Sequence, residues 1–133
     1  MENQEQGKQS FSRRLTRNEV EDRIILFSYA MVAEFFEFQE DRMFYMDVMD
    51  SLGKEWTFVG SFYTNQEVGN YVSISLLQFF TEKGLKVNDE VTFTKRPQDE
   101  DEWTWKKFKV EIKRKITLFG RDIWGELMVW SLN

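Results

Sequence analysis

The chain has 133 residues and a net charge of −5, with no cysteine and no histidine. Its length fits one domain with a substantial core, and the missing residue types exclude disulfides, thiol or histidine catalysis and ordinary zinc sites. No calcium-loop spacing of carboxylates occurs, and no apolar run is long enough to span a bilayer. We therefore expect a protein that is not an enzyme, has no catalytic residue, metal, cofactor or small-molecule substrate, and does not enter a membrane.

In the first third of the chain, the sequence pattern predicts a polar tail followed by two strands and a helix. Residues 1–9 are polar and are expected to form a flexible N-terminal tail. Phe11–Leu15 is predicted as the first strand, and the apolar, β-branched run Arg23–Phe27 as a second, buried strand. Ser28 is a suitable N-cap for a helix over Tyr29–Phe36.

The middle of the chain predicts a β-hairpin and a second helix. Arg42–Asp50 and Lys54–Phe62 are predicted as paired strands joined by a turn that contains Gly53. Tyr71–Ile74 reads as a short strand. Ser75 is then expected to cap a helix that runs to Lys83, with Gly84 as the residue after its end.

The last third is predominantly β-prone. Asn88 is predicted in a left-handed turn before the strand Glu90–Lys95. Lys106–Lys115 alternates apolar and basic residues, as in a strand with one solvated face, although its cations could also touch a DNA backbone. We expect residues 10–116 to form the main domain and residues 117–133 a β extension packed on it.

Several motifs, in a fixed order, carry a resemblance to a known family. Leu15-Thr-Arg-Asn-Glu-Val20 opens the series. Asp50-Ser-Leu-Gly-Lys54 then precedes Trp56-Thr-Phe58, and an aromatic pair on the second helix precedes Leu85-Lys-Val-Asn-Asp89. This order resembles the plant B3 DNA-binding domain. The resemblance implies a mostly β fold with two short helices, in which seven strands form an open barrel.

The resemblance also implies a function. B3 domains grip the major groove of double-stranded DNA with two arms, which map here to Arg17–Arg23 (the N-arm) and Gly60–Asn70 (the C-arm). Side chains that reach base edges and phosphates are needed on both arms. The candidate DNA-binding residues are Arg17, Asn18, Arg23, Tyr63, Thr64, Asn65 and Gln66. The implied protein is a plant transcription factor that binds a specific DNA sequence in the nucleus.

Acidic residues in both arms motivate an alternative. The N-arm contains Glu19, Glu21 and Asp22, and the C-arm contains Glu67. A carboxylate that faces a phosphate opposes binding. The alternative is therefore a degenerate B3-like domain that binds a protein partner, or a second copy of itself, without binding DNA.

Overall fold

The computed structural model describes residues 10–35, 43–64, 66–67, 69–95 and 108–126. The predicted tail, Asn65 and the end of the predicted extension lie outside these residues. The elements, in chain order, are strand β1 Ser10–Arg14, helix α1 Arg17–Asp22, β2 Ile24–Ser28, α2 Tyr29–Val32 with a 3-10 turn Ala33–Phe35, β3 Met43–Met49, β4 Glu55–Tyr63, β5 Tyr71–Ser75, α3 Leu77–Lys83, β6 Glu90–Lys95, β7 Phe108–Leu118 and β8 Arg121–Glu126.

Seven strands form one strongly curved sheet in the order β1-β6-β7-β3-β4-β5-β2. All of its pairings are antiparallel except that of β3 with β7. The two end strands, β1 and β2, face each other across a seam, where the rings of Phe11 and Phe27 meet edge to face at 4.9 Å between centroids. The predicted mostly β fold with a seven-stranded open barrel is confirmed.

The barrel is filled by the inward-facing residues of alternating strands. Phe58 packs on Phe79 and Phe93 at 5.3 and 6.2 Å between ring centroids. Trp56 is half-buried at the barrel end and meets Phe79 edge to face. Such aromatic pairs stabilise a core beyond the area that they bury. Trp56 and Phe58 of the W-x-F strand therefore pack in the hydrophobic core.

The turn after β3 is built on a buried carboxylate. Asp50 accepts hydrogen bonds from the backbone N–H groups of Leu52 and Lys54 and from the indole of Trp56, at 2.8–3.0 Å. Its Oδ2 also pairs with the buried ammonium of Lys83, on α3, at 2.8 Å. Burial alone raises the pKa of Asp50, but the hydrogen bonds from Lys83, Trp56 and Lys54 hold it below its ordinary value of 3.8.

The residues at turns and helix caps lie where the sequence predicts them, with one exception. The Ser28 side chain caps α2 as predicted, and Gly84 and Asn88 adopt left-handed backbones with φ of 63° and 77°. The prediction that Ser75 caps α3 is wrong: Leu76 occupies the cap position without a side-chain hydrogen bond. Ser75 instead ends β5, where it pairs with Ile24 and Val59.

β7 extends beyond the barrel and carries an additional strand. Its second half pairs with β8 through the two-residue turn Phe119-Gly120, and both turn residues have positive φ. This backbone matches the twist of a tight hairpin. The predicted domain boundary at residue 116 falls within β7 and stays a prediction.

Candidate nucleic-acid interface

The two predicted arms lie at opposite ends of one outer face of the barrel. In the ladder of β2 and β5, Ile24 pairs with Ser75 at one end and Ser28 with Tyr71 at the other. α1 leads into the Ile24 end, whereas the β4–β5 connection starts at Tyr63, which pairs with Tyr71. The face of β2, β5 and β4 therefore runs from the N-arm to the C-arm.

This face is concave. A groove of about 700 Å³ lies along it. Its floor includes Leu26 and Ser73, Arg13 lines its β1 side, and Tyr63 and Tyr71 line the end next to the C-arm. We call this surface, from α1 to Tyr71, the groove face. A groove bounded by two exposed segments can receive an elongated ligand between them.

The N-arm is a short helix, which the predicted elements do not include. Thr16 caps α1: its hydroxyl accepts from the backbone N–H of Glu19, and the Glu19 carboxylate accepts from the backbone N–H of Thr16. This reciprocal capping box, Thr-x-x-Glu, was visible in the sequence as a helix start and was missed. The helix places Arg17 and Asn18 in its exposed first turn.

Arg23 ends this helix in a left-handed conformation with φ of 60°. Its backbone N–H donates to the carbonyl of Glu19, and its carbonyl accepts from the N–H of Leu76 at 3.0 Å. The backbone of Arg23 is thus fixed at both ends while the side chain is exposed. Arg17, Asn18 and Arg23 are all exposed on the segment that leads into the Ile24 end of the groove face.

Glu19 does not face the solvent, contrary to what its place in an acidic arm suggested. The residue is 1% exposed. Its Oε2 accepts from Nε of Arg13 on β1 at 2.9 Å and from the backbone N–H of Leu26 on β2 at 2.8 Å. Its Oε1 accepts from the backbone N–H and the hydroxyl of Thr16 at 2.9 and 3.0 Å. The carboxylate therefore bridges the seam between β1 and β2.

The charge of Glu19 is stabilised in the folded protein. Burial by itself raises its pKa, but the hydrogen bonds from Arg13, Leu26 and Thr16, together with the charge of Arg13, lower the pKa below its ordinary value of 4.5. Glu19 remains ionised and paired at neutral pH. It therefore opposes a bound phosphate much less than an exposed carboxylate would.

The C-arm is anchored at its base and exposed beyond it. The rings of Tyr63 and Tyr71 stack at 5.2 Å between centroids, and the carbonyl of Asn70 accepts from the N–H of Tyr29 at 3.0 Å. Tyr63, Thr64 and Gln66 are exposed. The fourth candidate of this arm, Asn65, lies outside the described residues.

Between the arms, the groove face is uncharged. Apart from Glu55, which begins β4 beyond the end of its pairing with β5, the outward residues of the three strands are apolar, aromatic or hydroxyl-bearing: Ile24, Leu26, Ser28, Thr57, Val59, Ser61, Tyr63, Tyr71, Ser73 and Ser75. Cations occur only toward the N-arm among the residues described for this face, as Arg13, Arg17 and Arg23. Arg13 is paired with Glu19. Sequence reasoning missed the serine hydroxyls, although period-two alternation indicates which strand residues face outward. It also missed Arg13, which is in phase with the buried Phe11 and reaches the groove only because it lies at the end of β1 next to the seam.

The predicted basic strand contributes little to this face. It forms β7, which is separated from β4 by β3. Arg114 binds both carboxylate oxygens of Asp89 at 2.8 and 2.9 Å, and Lys109 and Lys115 pair with Glu111 and Asp122. These cations stabilise the barrel end and the hairpin.

Neither a membrane-spanning helix nor a metal-binding cluster is found among the described residues. No helix there is long and apolar enough to cross a membrane. Within the described ranges, no group of three or more carboxylate, histidine or cysteine side chains is arranged to hold a metal ion.

The solved structures that are similar to this chain include two protein–DNA complexes. The Arabidopsis FUS3–DNA complex matches with a TM-score of 0.63 at 14% identity, covering 78% of this chain and 95% of that chain. The complex of the Arabidopsis thaliana transcription factor LEC2 with DNA matches with a TM-score of 0.61 at 16% identity, covering 80% and 96%. No family model and no curated protein matches. The chain has the fold of the B3 domain.

Proposed function

We propose that this chain, which has the B3 fold, binds double-stranded DNA through its groove face and acts as a sequence-specific transcription factor in the nucleus. One observation carries the proposal. The N-arm leads into one end of a single concave face and the C-arm starts at the other end, and the candidate side chains that the structure describes on both arms are exposed. Both structural neighbours are named as DNA complexes. The proposed role is binding, not catalysis.

The distribution of charge predicts how strong this binding is. Within the described part of the chain, the guanidinium groups of Arg17 and Arg23 form no ion pair, so both are available for phosphates or guanine edges. Exposed carboxylates of Glu21 and Asp22 lie on the same helix. With about two phosphates neutralised, the logarithm of the binding constant falls with the logarithm of salt concentration with a slope of about −2. We expect modest, salt-sensitive affinity.

Sequence readout is assigned to the neutral polar groups of the arms. Asn18 can form two hydrogen bonds to an adenine edge, and Gln66 can do the same from the C-arm. Thr64 and Tyr63 carry hydroxyls that can bond a base or a phosphate oxygen. The proposal includes Asn65 in this set because it lies between Thr64 and Gln66 in sequence.

The test is selection from a randomised duplex library at low and moderate salt, followed by sequencing of the bound fraction. The expected result is an enriched short motif whose affinity falls with salt. Arg17→Gln should weaken binding to that motif and reduce the salt slope by about one. Arg121→Gln is the matched control, because Arg121 is also an exposed arginine but lies on β8, away from the groove face. Equal effects of the two variants would contradict the proposed face.

The alternative of a protein-binding domain without DNA binding is favoured by one observation, the absence of charge on the strands between the arms. It predicts no enriched motif even at low salt. It also predicts that Arg17→Gln has no effect on binding to any duplex. The same selection therefore separates the two functions.

A further inference from the structure

The β7–β8 hairpin exposes an apolar surface that the barrel does not use. Ile116, Leu118 and Ile123 are each 46–49% exposed, and Phe119 at the turn is fully exposed. Ile116 and Ile123 are cross-strand partners, so they form one continuous apolar row. Exposed clusters of large apolar side chains mark interaction sites more often than isolated ones do.

The outer edge of β8 has backbone groups that can pair with another strand. Among the described residues, β8 pairs with β7 alone. The two-residue turn makes Leu118 and Arg121 a hydrogen-bonded pair, and the pattern then alternates along the ladder. The N–H and C=O groups of Asp122, Trp124 and Glu126 consequently point away from β7, toward the open edge.

This alternation restricts how a second β8 can add in antiparallel fashion. The outward N–H and C=O groups of one copy must face the outward groups of the other copy. Because these groups belong to every second residue of β8, the two-fold axis must pass through a residue and not between two residues. An axis at Trp124 would set Asp122 opposite Glu126, which places like charges directly across from each other. An axis at Ile123 instead sets Ile123 opposite its own copy, Asp122 opposite Trp124 and Arg121 opposite Gly125.

The axis at Ile123 also joins the apolar surfaces. Ile123 is then in a non-hydrogen-bonded position, where side chains across the strands are closest. The pair Ile116–Ile123 of one copy continues into Ile123 and Ile116 of the other, and the four side chains lie in one row across the sheet. Apolar β-branched pairs of this kind stabilise strand pairing.

We propose that this chain forms a two-fold symmetric dimer by antiparallel pairing of β8 with β8 of a second copy, with the axis at Ile123. The joint sheet runs β7-β8-β8-β7. Each pair of Asp122 and Trp124 exchanges two backbone hydrogen bonds across the interface. β8 joins the sheet through β7, outside the three strands of the groove face, and its Trp124 ring meets the guanidinium of Arg14 at the end of β1, 4.9 Å from the ring centroid. The interface is small, below about 1,200 Å², so we expect a micromolar dissociation constant.

The test is sedimentation velocity of the full chain from about 1 to about 200 µM, the range in which interfaces of this size associate. The expected result is a concentration-dependent monomer–dimer equilibrium. Ile123→Lys, which sets two ammonium groups opposite each other, should raise the dissociation constant at least about tenfold. Val87→Lys is the matched control: Val87 is similarly exposed, at 43%, but lies in the turn after α3. It should leave the constant unchanged.

Hydrogen exchange of the unmodified protein tests the register independently of any variant. The amides of Asp122 and Trp124 should gain protection as concentration rises, whereas the amide of Ile123, which already bonds to β7, should not change. A chain that stays monomeric over this range overturns the proposal. A dimer that persists in Ile123→Lys, or that protects other amides, overturns the β8 interface. Neither result bears on DNA binding by the groove face.

Discussion

Replacing Glu19 by Gln tests whether the carboxylate closes the barrel at its seam. The substitution keeps the size of the side chain and removes its charge. In the native protein the two oxygens accept four hydrogen bonds, from Nε of Arg13, the N–H of Leu26 and two donors of Thr16. A glutamine amide has only one oxygen, so its NH₂ group, a donor, must occupy the position of one of the two carboxylate oxygens of Glu19.

The magnitude follows from which donors lose their acceptor. If the amide oxygen stays with Thr16, the NH₂ group faces the donors of Arg13 and Leu26. Arg13 is 37% exposed and can bond water, but the Leu26 N–H lies at the seam. An unsatisfied buried donor costs about 1–3 kcal/mol, and the lost hydrogen bond from Arg13, which water can partly replace, adds about 1 kcal/mol. We expect Glu19→Gln to lower the free energy of unfolding by about 2–4 kcal/mol.

Urea unfolding near neutral pH, followed by far-UV circular dichroism, measures this change. Glu21→Gln is the control, because it removes the same charge from the exposed side of the same helix and should shift stability by less than about 0.5 kcal/mol. The pKa of Glu19 is lowered in the folded state, so its contribution is present above its ordinary pKa of 4.5 and is lost as pH falls through the folded pKa. Glu19→Gln should therefore also flatten the acid side of the stability profile. Equal stabilities of the two variants would refute the bridging role.

Two further substitutions test the barrel interior and its end. Lys83→Met leaves Asp50 buried without its cation and should destabilise the protein by about 3 kcal/mol, measured by urea unfolding. Because Lys83 helps to lower the pKa of Asp50, that pKa should rise in this variant, so acidification should cost the variant less stability than it costs the native protein; an unchanged acid profile would contradict the pairing. Gly60→Ala places a Cβ atom in overlap with the outer edge of the Phe44 ring and should cost about 1–3 kcal/mol in thermal unfolding. Gly125→Ala, where no atom is near, should differ from the native protein by less than about 0.5 kcal/mol, and similar losses in both glycine variants would argue against overlap.

Local patterns predicted the elements well where one side chain or one repeat decides the structure. The strand Glu90–Lys95 has the predicted limits, because its period-two alternation begins directly after a turn. Asn88 adopts positive φ, as its short polar side chain allows. α1 is absent from the predicted elements because the resemblance assigns Arg17–Arg23 to a DNA-binding arm, although Thr16 and Glu19 have capping-box spacing.

The sequence by itself determined that this chain forms a mostly β barrel with the B3 order of elements, since alternation, turn residues and motif order are local properties. Only the tertiary structure decided which charged side chains are buried and which groups they pair with. Glu19 was counted among the exposed acids of the N-arm, yet it is buried because Arg13 and the N–H of Leu26, distant in the strand order, converge on it across the seam. Charge in a sequence is counted by residue, whereas its effect depends on which partners the fold brings within hydrogen-bonding distance.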